Sequence, residues 1–176
     1  MENNTLATPT PTPTSVSAHA TMPLRLTLLD RSNPVFACYL VWMSLLVLKM
    51  LCMSLLTARQ RMRTKTFANP EDLRLSKDSE VRFGDDHVER VRRAHRNDLE
   101  NVLPFMLMSL AYVAAGPHPM VARMLIRIGA SARLLHTFVY AVVPVPQPAR
   151  VLAFSTTFTI TCFEAIYVLV CCIKFI

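Results

Sequence analysis

Arg93, Asn97 and Glu100 stand at i, i+4 and i+7, a spacing that puts three side chains on one face of a helix, with Arg96 one turn along from Arg93 and beside it. Arg133, His136 and Tyr140 form a second stripe at i, i+3 and i+7, while Arg61 and Arg150 stand near the ends of apolar runs. Guanidinium forks match carboxylates bidentately, asparagine adds a neutral donor and acceptor, and a glutamate could accept from an ammonium group. Such a set suits a small anion that also carries an amine. The first stripe runs without a break into an apolar segment, so its charges lie at the mouth of a membrane-spanning helix, an expensive arrangement that usually carries function. Taken alone, Glu89 to Glu100 could equally be a solvated helix start outside the bilayer.

The elements that must position these residues are read from hydropathy. The chain has 176 residues, 52% of them hydrophobic and only three glycine, which suits one domain and is too apolar for an ordinary soluble one. Pro34 to Ala58 is a run of 25 residues with one charge, Lys49, behind an Asn33-Pro34 start that fits an N-cap and a first helical position. Lys49 stands about 23 Å along that helix at 1.5 Å per residue, so it faces neighbouring helices or snorkels, in a structural role. Spans are expected at about residues 34–58, 90–115, 119–143 and 149–176, with a kink at Pro104, a tight turn at Gly116 to Pro119 and Glu164 in the middle of the last span. Together they form one membrane domain over residues 33–176.

Arg59 to Arg93 carries ten Lys or Arg and seven Asp or Glu, and positive charge places this large polar loop on the cytosolic side. Pro70 should break any helix there. On that topology Arg61, Arg93 to Glu100, His136 to Tyr140 and Arg150 share one depth at one membrane face. Residues 1–32 read as a disordered Thr/Pro-rich tail with a sequon at Asn3 and no signal peptide. The balance of 19 Lys and Arg against 12 Asp and Glu sits between apolar runs and reads as topology, not as a nucleic-acid partner. All five cysteines lie in apolar segments and read as small buried hydrophobes, with no disulfide framework or metal site implied.

A ligand with two carboxylates, one amine and a thiol, the pattern of glutathione, would satisfy both stripes. Four motifs carry a resemblance: F-A-N-P-E-D from Phe67, E-R-V-R-R-A-H-R-N-D-L-E-N from Glu89, A-R-L-L-H-T-F-V-Y from Ala132 and P-Q-P-A-R-V-L-A-F from Pro146. In this order and spacing they resemble the membrane-associated proteins in eicosanoid and glutathione metabolism, over residues 34–176. The glutathione-transferase branch is nearer than the prostaglandin-synthase branch. The resemblance implies an all-α membrane protein, a four-transmembrane-helix up-and-down bundle assembled as a homotrimer in the lipid bilayer. It implies glutathione bound between subunits near the cytosolic face, with contacts falling on Arg61, Arg93, Arg96, Asn97, Glu100, His136 and Tyr140. Arg150 matches the catalytic arginine placed at the thiol.

A free thiol titrates near pH 8.5, and a cation at hydrogen-bond distance can lower this by about one to three units. The thiolate would then attack a hydrophobic electrophile, or reduce a lipid hydroperoxide, delivered through the bilayer. The expected location is the endoplasmic reticulum membrane, as a multi-pass protein; no retention or transit signal separates this from the outer mitochondrial membrane.

Three positions depart from the prostaglandin-synthase pattern. Val151 stands where that branch has a serine, which argues against prostaglandin E synthase as the activity, and Phe154 and Ser155 stand where it has a tyrosine and a threonine that contact glutathione, so part of that contact is weaker or rebuilt. Asp72 is retained and would cap a loop or pair with an arginine. A non-catalytic lipid-binding scaffold would be favoured by loss of the arginine cluster, and the cluster is present. Arg123 and Arg127 read as interfacial or trimer-packing charges.

Overall fold

The computed structural model describes residues 28–176; the expected tail up to Thr27, with its sequon, lies outside the described residues. Four long helices carry the fold: α1 (Pro34–Thr64), α2 (Asp86–Ala114), α3 (Pro119–Thr137) and α4 (Ala149–Cys172). Local chemistry sets their ends. Asn33 Oδ1 accepts from the Val35 amide at 2.9 Å with Pro34 in the first turn, and Asp85 Oδ1 accepts from the amides of His87 and Val88 at 3.0 and 3.1 Å. Helix α1 closes at Lys65, whose left-handed backbone (φ 54°) returns its N–H to the Arg61 carbonyl. Arg61 and Arg63 lie in that last turn, where positive charge suits the negative end of the helix dipole. This is why α1 continues past the expected end at Ala58.

The polar connection is more ordered than a loop. Thr66–Phe67 (β1) pairs in parallel with Glu80–Val81 (β2), and Pro70 starts a 3-10 turn, Pro70–Leu75, rather than only ending a helix. Asp72 accepts from Asn69 Nδ2 at 3.3 Å within that turn. At its C-terminal end α3 widens into a π-helical turn, Phe138–Val142, where the Val143 amide donates to the Phe138 carbonyl at 2.9 Å.

Around the bundle the helices run in the order α1, α2, α4, α3, with α2 and α3 meeting more lightly across the centre. On α1 the buried side chains are Val35, Tyr39, Met43, Leu46 and Met53, a stripe at helical spacing, while Leu40, Leu48, Leu51 and Leu55 face outward. An apolar stripe on both sides of one helix fits a chain surrounded by hydrocarbon. Helices α1, α3 with its π turn, and α4 with its final turn are each long and apolar enough to cross a membrane. Helix α2 is as long, at 29 residues, but its first half is charged. The architecture is that of an all-α membrane protein built on a four-helix bundle. Cys52, Cys162 and Cys172 are exposed on its outer surface, a correction to the reading of all five cysteines as core residues: an apolar segment in lipid has no need to turn its thiols inward.

One close approach sets the spacing of three helices. A Cβ on Gly129 of α3 would lie 2.6 Å from the ring of Phe105 on α2, and the Gly129 carbonyl accepts from Thr157 Oγ1 of α4 at 3.0 Å. Phe105 is fully buried and cannot swing away. Gly129→Ala is therefore expected to destabilise the bundle by about 1–3 kcal/mol, read as a fall in thermal midpoint in detergent, and Gly129→Ala with Phe105→Leu should recover most of the loss.

Candidate active site

The site is built against a buried ion-pair network. Asp98 of α2 is 0% exposed, and its Oδ1 lies 2.6 Å from Lys49 Nζ of α1 and 3.1 Å from Arg133 Nη2 of α3. Thr137 Oγ1 accepts from Lys49 Nζ at 3.0 Å and donates to Asp98 Oδ2 at 3.2 Å. Three helices thus share one carboxylate. The reason is local: a lone cation within an apolar helix needs a buried counter-charge, and a carboxylate in that setting needs donors on every side. Elsewhere Glu164 of α4, also 0% exposed, accepts from Ser109 Oγ at 3.0 and 2.9 Å.

Arg133 reaches Asp98 and Asn97 of α2. His136, buried one turn further along α3, and Tyr140 in the π turn that follows border the first turn of α4. Their rings meet edge to face at 5.6 Å, and the Arg150 guanidinium lies 5.0 Å over the Tyr140 ring. Asn97, His136, Tyr140, Gln147, Arg150, Val151 and Phe154 line one cavity of about 220 Å³. Arg150 Nε and His136 Nδ1 are both buried without a hydrogen-bond partner among the described residues. Buried polar atoms left unpaired beside a cavity are what a bound polar ligand would satisfy. A second cavity of about 260 Å³, lined by Arg90, Tyr140, Arg150 and the proline-rich turn, opens on the other side of Arg150.

The remaining predicted residues lie elsewhere on the chain. Arg93 and Arg96 are exposed and line a groove of about 410 Å³ between α1 and α2, together with Glu89, Arg92 and His95. Glu100, also exposed, lines a cavity of about 190 Å³ against Thr157, Thr161 and Cys162 of α4. Arg61 is half-buried at the end of α1 and lines none of these spaces. One chain therefore brings together Asn97, His136, Tyr140 and Arg150, and holds Arg61, Arg93, Arg96 and Glu100 apart from them. Sequence reasoning missed Asp98, Gln147 and Arg90. Lys49 was the signal for Asp98, because an isolated span lysine requires a partner on another helix.

A helical membrane bundle with a partly unpaired arginine and histidine beside one cavity defines the class as an integral membrane protein. Comparison with known proteins makes the class definite: the profile of the MAPEG family matches residues 39–170, and the chain belongs to that family. Microsomal glutathione S-transferase 1 of Homo sapiens is 40% identical over 140 residues, spanning 73% of this chain and 85% of that protein. The Mus musculus protein of the same name is 43% identical over 134 residues, with the same coverage. Prostaglandin E synthase of Bos taurus is 38% identical over 124 residues, spanning 70% of this chain and 80% of that protein.

The network makes a sharp demand on stability. Asp98→Ala would leave two buried cations facing each other, and the expected cost is about 3–5 kcal/mol, seen as loss of monodisperse protein on size exclusion in detergent. Lys49→Met leaves Asp98 paired with Arg133 and should cost distinctly less. Equal losses for the two variants would contradict this account.

Proposed function

We propose that the protein is a membrane-bound glutathione transferase of the endoplasmic reticulum that joins the glutathione thiolate to lipophilic electrophiles. The observation that carries this reading is Arg150: its guanidinium is fixed over Tyr140, and its Nε is buried, unpaired and beside the His136 and Asn97 cavity. A cation held there without a partner favours the thiolate over the thiol, and the thiolate is the nucleophile. In the reaction the sulfur lone pair forms the bond to carbon, and the leaving group departs with its own electron pair. With a lipid hydroperoxide, two glutathione thiols would be oxidised to the disulfide as the peroxide is reduced to alcohol and water.

His136 and Asn97 would hold the tripeptide, and Arg61, Arg93, Arg96 and Glu100 would supply further contacts. Those four lie away from the Arg150 cavity of their own chain, which favours a homotrimer with glutathione between neighbouring subunits: one subunit gives Arg150, His136, Tyr140 and Asn97, and its neighbour gives the rest. Exposed cations on α2 would be costly against lipid, and such an interface shields them. The names of the relatives, which include the word microsomal, support the endoplasmic reticulum and give no support to the outer mitochondrial membrane. Prostaglandin E synthase activity is disfavoured by Val151, which sits in the cavity wall beside Arg150 and brings no hydroxyl.

Purified protein in detergent should conjugate glutathione to a chloronitrobenzene, and Arg150→Ala should lose at least about tenfold in kcat, with thiolate absorbance at neutral pH falling in parallel. Wild-type protein that binds glutathione but turns over no faster than Arg150→Ala would overturn the enzyme reading and leave a lipid-binding scaffold. Prostaglandin H2 offered in parallel should not be isomerised faster than in buffer.

A further inference from the structure

Asn97 has two chemically different ends, and the structure fixes which one the cavity meets. Its Oδ1 accepts from Arg133 Nη2 at 2.8 Å, and its main-chain carbonyl accepts from the same nitrogen at 3.3 Å. A guanidinium has donors and no acceptor, so the amide cannot be turned round. Oδ1 faces Arg133, and Nδ2, which has no partner among the described residues, is left for the cavity that Asn97 lines with His136, Tyr140 and Arg150.

Arg133 is itself anchored through Nη2, while its Nε and Nη1 have no partner among the described residues. It is 0% exposed, Nη2 is 3.1 Å from Asp98, and Asp98 is held from the other side by Lys49 at 2.6 Å. We propose that Arg133, anchored by Asp98, is a positioning residue that locks the Asn97 amide with its NH2 group toward the ligand, so that Asn97 recognises a carboxylate or peptide carbonyl of glutathione and not its ammonium group. This rests on the glutathione reading and adds to it the polarity of one subsite and the residue that sets it. Arg133 touches neither ligand nor cavity; it acts through Asn97.

The test uses the full-length protein in detergent, with glutathione titrated calorimetrically and turnover measured against a chloronitrobenzene. Arg133→Met leaves Asp98 paired with Lys49, so the bundle keeps a neutral ion pair. The expected result is a rise of about tenfold in Kd and KM for glutathione, with kcat at saturating glutathione within about twofold of wild type. The same substitution in an Asn97→Ala background should change Kd by less than about twofold, because the residue through which Arg133 acts is gone. Should Arg133→Met fail to fold, Asn97→Asp keeps the contact to Arg133 and replaces the cavity-facing donor with an acceptor; it should bind glutathione more weakly than Asn97→Ala. Asn97→Asp binding more tightly than Asn97→Ala, or an Arg133→Met effect that persists undiminished in the Asn97→Ala background, overturns the inference while leaving the function intact. Wild-type protein that binds no glutathione overturns both.

Discussion

The structure depends on one carboxylate held among cations inside the bundle. In lipid, helices gain little by burying apolar surface against one another, so the terms that choose a packing are close contacts and polar pairs. Asp98 supplies the polar pair. It draws Lys49 from α1 and Arg133 from α3 onto α2, and Thr137 closes the ring by accepting from the lysine and donating to the carboxylate. Gly129 supplies the close contact, letting α3 approach Phe105 of α2 while its carbonyl takes the Thr157 hydroxyl of α4. Together these two places register all four helices.

The cavity follows from that register. Once Arg133 is fixed on Asp98 and Asn97, the helical repeat keeps His136 and Tyr140 on the same side, where with Asn97 they border the first turn of α4. The π turn at Phe138–Val142 then ends the helix beside them. Arg150 comes from the opposite direction, out of the proline-rich turn and into the first turn of α4. The ion pairs are therefore not only a stabilising device. They fix the angle at which a neighbouring set of side chains meets a cavity, and the two cations sharing one carboxylate leave positive charge behind its wall.

Much of the fold was legible because its signals are local. Asn33 before Pro34, and one charge in 25 residues, mark the first helix and its class without reference to anything else in the chain. The Asp85 cap lay in a stretch whose charge density hid it, and α2 begins before the expected start for that reason. Faces were less legible than periods. Arg93, Asn97 and Glu100 do share a side of α2, but α1 and α4 flank that side, so Arg93 lines a space with one neighbour and Glu100 with the other. Arg133 shares its stripe with His136 and Tyr140, but Asp98 takes Arg133 as a partner and leaves the other two to the cavity. Spacing places a side chain on an arc of its helix; what that arc meets is decided by other helices.

Arg150 breaks a local rule in an informative way. It lies in the first turn of α4, with no acidic residue there, although the helix dipole makes that end positive and favours acids over bases. A cation at such a place is repelled by its own helix and gains only a stacking contact with Tyr140 in return. Local and tertiary preferences usually agree in a foldable sequence, and they part company where chemistry is done. An anion bound beside the guanidinium at the helix start would relieve both at once. On the glutathione reading a thiolate would be such an anion, and the energy that the unliganded arrangement forgoes would favour loss of the sulfur's proton.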